Sequence, residues 1–385
     1  MTLHSPDASP TQDALATGWL KRLQGAAARS GHRRRWVGRA LLLLGLAVCV
    51  GIPFAGWSLP WLVPGQAAAF DSPGNLAVIG LAFIFAGVAL GYDLLFGVTG
   101  LLSFGPILYF ALGVYVFDIA MSDLGWSLGA AVGLTLAVTL VVALVLGAIC
   151  LRVGGIAFAM VTLAFAQAGY YLLEDNPHGL TGGDSGLVLT TTHLPGLLVG
   201  VLNTQNLYFL CLGFMVAAYA LVWLTTESVT GQVLLAIRDN ERRATVLGVR
   251  VFPYKLLAFV LSSLIASAGG VCYILLIGTA SPTAVASLTL TVSILVMVVL
   301  GGSGSRGGVV LGAIGYIYLQ QYLLKLSGEP FFTSLPAPLR IPLSQPQFIL
   351  GAVFILFVIF LPGGIAQLGS WLGRSHSASV KEGSR

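Results

Sequence analysis

Two carboxylates stand inside apolar runs of this sequence, Asp93 in VALGYDLLFGV and Asp118 in VYVFDIAMS. An acid in such a setting is costly, which calls for a functional reading of it. Glu174, Asp175, His178 and Asp184 cluster at and beyond the end of a later apolar run. Their spacing fits no zinc-ligand pattern, and solvated loop acids or contacts to a partner protein account for them. Cys49, Cys150, Cys211 and Cys272 are isolated in or near apolar runs and read as small packing residues. The run Gly301–Gly308, GGSGSRGG, invites a phosphate-loop reading. A phosphate loop closes on Gly-Lys-Ser/Thr after a strand, however, and here the run lies between two apolar segments. The sequence thus offers no nucleotide site of its own.

A charged island, Thr226 to Lys255, breaks the apolar pattern with Glu227, Arg238, Asp239, Glu241, Arg242, Arg243, Arg250 and Lys255. At helical spacing Val233, Ile237, Ala244 and Leu247 share one stripe, interrupted by Asn240, while Arg238, Glu241, Arg242 and Thr245 fill another face. Asp239 precedes Arg243 by four residues, the favourable order for an intrahelical ion pair. Such a segment is either a solvated or headgroup-lying helix or a docking element for a soluble partner.

The elements that must position these residues are membrane spans. Hydrophobic residues make up 57% of the chain and charged ones 9%, with mean hydropathy +0.92, which excludes an ordinary soluble domain. With about 20 apolar residues needed per crossing, spans are expected near 38–58, 75–96, 101–121, 127–151, 156–173, 206–225, 254–277, 287–302, 309–325 and 347–362. The predicted fold is all-α, a polytopic transmembrane helical bundle of about ten (8–10) spans. The 49 glycines suit close helix packing.

Placing both termini and the island in the cytoplasm leaves only Lys325 and Arg340, of 19 basic residues, on the other side. The net charge of +5 reflects this topology and not nucleic-acid binding. Residues 1–36 read as a disordered basic cytoplasmic tail, the first span as an uncleaved anchor, 37–368 as the transmembrane domain with a cytoplasmic loop at 226–253, and 369–385 as a second tail.

Three further segments stand out. Gly97-Val-Thr-Gly100-Leu-Leu-Ser103-Phe-Gly105-Pro106 breaks a helix at membrane depth, either as a tight turn or as backbone lining a path. Phe158–Gln167 reads FAMVTLAFAQ, and Thr162 and Gln167 in it suit helix–helix hydrogen bonding or a path equally well. Leu180–Leu187 reads LTGGDSGL.

Together these segments resemble the permeases of branched-chain amino acid ABC importers, in particular the LivM-type branch, over about residues 75–368. The family's Gly-x-x-Gly-Leu-Leu-Ser-x-Gly turn matches Gly97 to Gly105, and its Phe-Ala-Met-x-Thr-Leu-Ala-Phe-Ala-Gln segment matches Phe158 to Gln167. Its Leu-Thr-Gly-Gly-Asp-x-Gly-Leu loop matches Leu180 to Leu187. The family's cytoplasmic loop matches Gly231, Ala236, Ile237, Arg238, Asn240, Glu241, Ala244 and Gly248, and the turn at Gly301–Gly308 completes the set. Departures are Pro106 for a usual His, Gly154 for a second Arg, Ala157 for an aromatic and Gly308 for a Pro, so substrate contacts at the lost His and aromatic are not carried over.

The resemblance implies an inner-membrane permease subunit for branched-chain or related hydrophobic amino acids, or alternatively for urea or short amides, with no cofactor because ATP is bound by partner subunits. The implied partners are a second, LivH-type permease subunit, two ABC ATPases, a periplasmic or lipid-anchored solute-binding protein and membrane lipids. Gly231, Ile237, Arg238, Asn240, Glu241, Ala244 and Gly248 would couple to an ATPase. Asp93, Gly97, Gly100, Ser103, Gly105, Thr162 and Gln167 are candidates for the path, and Thr181, Gly182, Gly183 and Asp184 for facing the binding protein. An ion-driven secondary transporter would want carboxylates near the midplane and internal repeats; neither stands out, and the island would be unexplained. A membrane enzyme built on His178, Asp175 and Asp184 has no trusted ligand spacing.

Overall fold

The structure, a computed structural model, describes residues 72–190, 203–326 and 345–360, with isolated positions at 45–53, 194–196 and 364. The tails at 1–36 and 369–385 and most of the predicted first span lie outside the described residues. Residues Met1–Ala55 and Gly56–Arg385 form separate units. Helical turn is described at 45 and 47–51 of the first, and the second is the bundle.

The described helices are α1 (Pro73–Asp93), running into a π-helical turn at Leu94–Val98, α2 (Pro106–Ser122), α3 (Leu128–Cys150), α4 (Ile156–Glu174), α5 (Thr204–Glu227), α6 (Val229–Asp239), α7 (Glu241–Val246), α8 (Val251–Ile277), α9 (Pro282–Val285), α10 (Leu288–Gly301), α11 (Arg306–Leu326) and α12 (Pro346–Phe360). Among them are seven helices long and apolar enough to cross a membrane, joined by two shorter apolar ones, Pro106–Ser122 and Gln347–Phe357. These coincide with every predicted span but the first. The third starts at Pro106 and not at 101, because Gly100 takes a φ of +78° that no helix continues.

Burial sorts the spans. The most apolar stretch of Pro73–Val98 is 83% buried, against 22% for α3 and α4. Apolar on every side, α1 is the bundle's centre and packs against α5, α8, α10 and α11. Around it, α2 lies on α8 and α3 lies across both. Phe83 meets Tyr208 edge to face at 5.4 Å, joining α1 to α5, and Tyr109 meets Phe259 at 5.7 Å, joining α2 to α8. A buried hydrogen bond of 2.8 Å between the Thr139 and Ser267 hydroxyls fixes α3 on α8.

At the end of the bundle far from the island, the chain forms a two-stranded antiparallel sheet, β1 (Leu187–Val188) with β2 (Thr279–Ala280), in which Leu187 faces Ala280 and Val188 faces Thr279. It fastens the loop after α4 to the end of α8.

Candidate functional site

The island folds as two short helices and not one. Ser228 caps α6, its hydroxyl accepting from Gly231 N at 3.4 Å. Asn240 then leaves helical geometry, with φ −162° and ψ 100°, and its side chain accepts from Arg243 N at 2.9 Å to start α7. This break corrects two expectations. Asp239 and Arg243 fall on different helices and do not pair; among the described residues the ion pairs are Lys255–Glu241 (2.7 Å) and Arg306–Glu227 (2.9 Å). The buried residues are Gly231, Leu234, Ile237 and Ala244, whereas Leu247 leaves the predicted stripe and is 77% exposed beside Val246 at 87%. Gly231 presses against the Thr225 and Thr226 carbonyls of α5, where a Cβ would not fit. Gly248, at φ +87°, turns the chain out of α7.

Arg238, on the polar face of α6, is exposed, and its guanidinium donates to the carbonyl of Gly97. Asp93 is fully buried, and its Oδ1 accepts from Gly304 N at 2.8 Å. The island, the glycine turn and the Gly301–Gly308 run therefore meet at one place.

The broken segment 99–105 is held by a second set of contacts. Thr99 Oγ1 donates to Leu94 O at 2.9 Å and Leu101 N to Leu95 O at 3.0 Å, capping the end of the π-helical turn. Gly105 N donates to Ser103 Oγ at 3.1 Å. Phe104 N donates to Thr162 Oγ1 at 3.1 Å, and that hydroxyl donates to Ala159 O at 2.9 Å. Thr162 thus fastens the turn to α4. Replacing it with valine strands the Phe104 N–H and is expected to lower stability by about 1–3 kcal/mol, while serine retains the bond; thermal unfolding of the two variants in the same lipid distinguishes them. Beside this joint Gly105, Tyr109, Cys150, Thr162 and Phe259 line a mostly apolar cavity with room for about one water, too small for an amino acid. Gln167 lies farther along α4, half-buried and outside this joint.

At the far end Thr181 is buried in its own loop, its hydroxyl donating to Leu173 O at 2.8 Å and its N–H to Asn176 Oδ1 at 2.8 Å. Gly182 and Gly183 take φ of +68° and +57° to shape that loop, and Asp184 is exposed on it. Asp118 is buried beside Ser122, whose hydroxyl lies 3.4 Å from Asp118 Oδ1 and accepts from Thr190 N at 3.3 Å.

Arg306 escaped the sequence reading. Its guanidinium donates to Thr226 Oγ1 at 3.0 Å and Glu227 Oε1 at 2.9 Å, tying the start of α11 to the end of α5. A cation at one span's start and the island's first acid at another's end were the available signals, but nothing local pairs them.

Comparison with known proteins decides the family. The model for the branched-chain amino acid transport system permease component matches residues 75–358, well over half of the chain. The chain belongs to that permease family. The permease is also similar to the high-affinity branched-chain amino acid transport system permease protein LivM of Salmonella typhimurium and to that of Escherichia coli. With each it shares 25% identity over 321 residues, covering 77% of this chain and 71% of the relative. The matched region contains the island, the glycine turn, the α4 joint and the Gly301–Gly308 turn. The bundle of apolar helices is accordingly that of a membrane transport subunit.

Proposed function

We propose that this permease is the inner-membrane subunit of an ABC importer for branched-chain or related hydrophobic amino acids, with the island facing the cytoplasm and docking an ATPase. The observation that carries the docking is the Val246–Leu247 tip. Two large apolar side chains stand free at the end of a short helix, while Glu241 is tied to Lys255 on α8 and Arg238 to the bundle. An apolar knob on a rigid, charge-rimmed base fits the anatomy of a protein interface. The charge distribution of the sequence supports the cytoplasmic placement.

Two ATPases, a second permease subunit and a solute-binding protein complete the assembly. The cavity beside Thr162 is too small for the solute, and α3 and α4 expose wide apolar faces, including Val141, Val145, Met160 and Tyr171. The small cavity favours a path completed by a second subunit, and the apolar faces are ones that lipid or that subunit would cover. Only a partner that binds two conformations unequally can drive the exchange between them, and ATP bound by the ATPases supplies that difference. Gly182, Gly183 and Asp184 lie on the far-end loop, where a binding protein would dock.

The complex reconstituted with its binding protein is expected to take up labelled leucine on ATP addition. Uptake of urea or short amides with none of leucine would replace the solute class, and ion-driven uptake by the chain alone would remove the ABC reading.

A further inference from the structure

Two glycines of the 97–105 turn are explained by residues that arrive from other elements. A Cβ on Gly97 would lie 2.8 Å from Asp93 Cγ and 2.5 Å from Gly304 N, so the bare backbone leaves room for the Asp93–Gly304 contact. A Cβ on Gly100 would lie 2.9 Å from Arg238 Cγ, so Gly100 leaves room for the arginine stem. Arg238 then caps the Gly97 carbonyl, one of the groups that a helix end leaves without an internal partner, and its positive charge suits a helix C-terminus. Asp93 Oδ1 holds the 301–308 turn, while Oδ2 is buried without a hydrogen bond.

The contacts close on themselves. From α6, Arg238 reaches the end of α1; from α1, Asp93 reaches Gly304; two residues on, Arg306 reaches Thr226 and Glu227 of α5, which runs through Ser228 back into α6. We propose that this ring is the linkage that carries movement of the docked loop into the bundle. Arg238 and Asp93 are its positioning residues, making α1, α6 and the α10–α11 turn shift as one body. Arg238 stays exposed on α6, but its guanidinium is engaged by Gly97, and on this account it contributes nothing to ATPase affinity.

The linkage rests on the coupling reading, and one set of measurements separates them. The complex is assembled in lipid nanodiscs with wild-type, Arg238→Met and Arg238→Lys permeases. ATPase retention, basal hydrolysis and hydrolysis stimulated by leucine-loaded binding protein are then recorded. Arg238→Met is expected to retain both ATPases and the basal rate while losing stimulation about ten-fold, within the usual range of coupling between sites. Arg238→Lys, which keeps a donor for the Gly97 carbonyl, recovers most of it. Gly100→Ala, whose Cβ displaces the arginine stem, is a second variant expected to show the same loss. Full stimulation in Arg238→Met or Gly100→Ala overturns the linkage, as does loss of the ATPases from Arg238→Met, which would make Arg238 a docking contact. A wild-type permease that held no ATPase would instead remove the coupling reading, and the linkage with it.

Discussion

Changing Val246 and Leu247 together to glutamate is expected to strip the ATPase from the permease while leaving the permease folded. Both side chains are exposed in the isolated chain, at 87% and 77%, so the change removes no packing from α7. Surface substitutions of this kind usually alter stability by no more than about 0.5 kcal/mol. In the docked state the same two side chains would be covered, and covering an apolar side chain contributes about 1.5–3 kcal/mol. Losing both, and placing carboxylates in their stead, is therefore expected to weaken binding by at least about 100-fold. Ala244 shows the opposite behaviour. It is 4% exposed and lies against its own chain, so a bulky residue there disturbs the loop itself and cannot report on docking alone. The measurement is ATPase retention on the immobilised permease, alongside the unfolding temperature of the permease by itself. Undiminished retention in the double variant would return the island to a solvated or headgroup-lying segment.

Replacing Gly270 by leucine is expected to prevent the bundle from assembling at all. At the crossing of α2 and α8 the two backbones touch without side chains between them. A Cβ on Gly270 would meet the Phe110 carbonyl and lie 3.0 Å from Val114 N and 3.2 Å from Gly113 Cα. A Cβ on Gly113 would meet the Ser267 carbonyl from the other side, 2.8 Å from its carbon. Backbone cannot swing aside as a side chain does, so even alanine must push the helices apart. Alanine at either place is expected to cost about 1–3 kcal/mol, the usual penalty for overpacking. Leucine demands several ångströms and breaks the neighbouring Thr139–Ser267 bond. Yield of monodisperse protein and thermal unfolding in one lipid composition check the order wild type, alanine, leucine. A leucine variant that unfolded like the wild type would show that the α2–α8 contact does not hold the bundle.

How far the sequence could be read follows from the range of the forces that shaped each feature. The spans were legible because hydropathy acts over a window of about 20 residues, and all of them except the first, outside the described residues, appear where the apolar runs lie. The Gly97–Pro106 break was legible from its own residues, since glycine and proline punctuate a helix locally. The island's position between two spans was equally local, but its folding was not. A single periodic helix was the natural reading, whereas Asn240 used its side chain to cap a second helix and turned Leu247 out into solvent.

The sequence by itself determined an apolar helical bundle interrupted by a charged loop, because span length, charge and turn chemistry are properties of neighbouring residues. Only the tertiary structure decided that Asp93 holds Gly304, that Arg238 reaches Gly97, and that Arg306 closes on Thr226 and Glu227. Each of these joins polar groups separated along the chain by whole spans. Which polar groups meet is settled by the packing of the helices that carry them, and no local pattern records it.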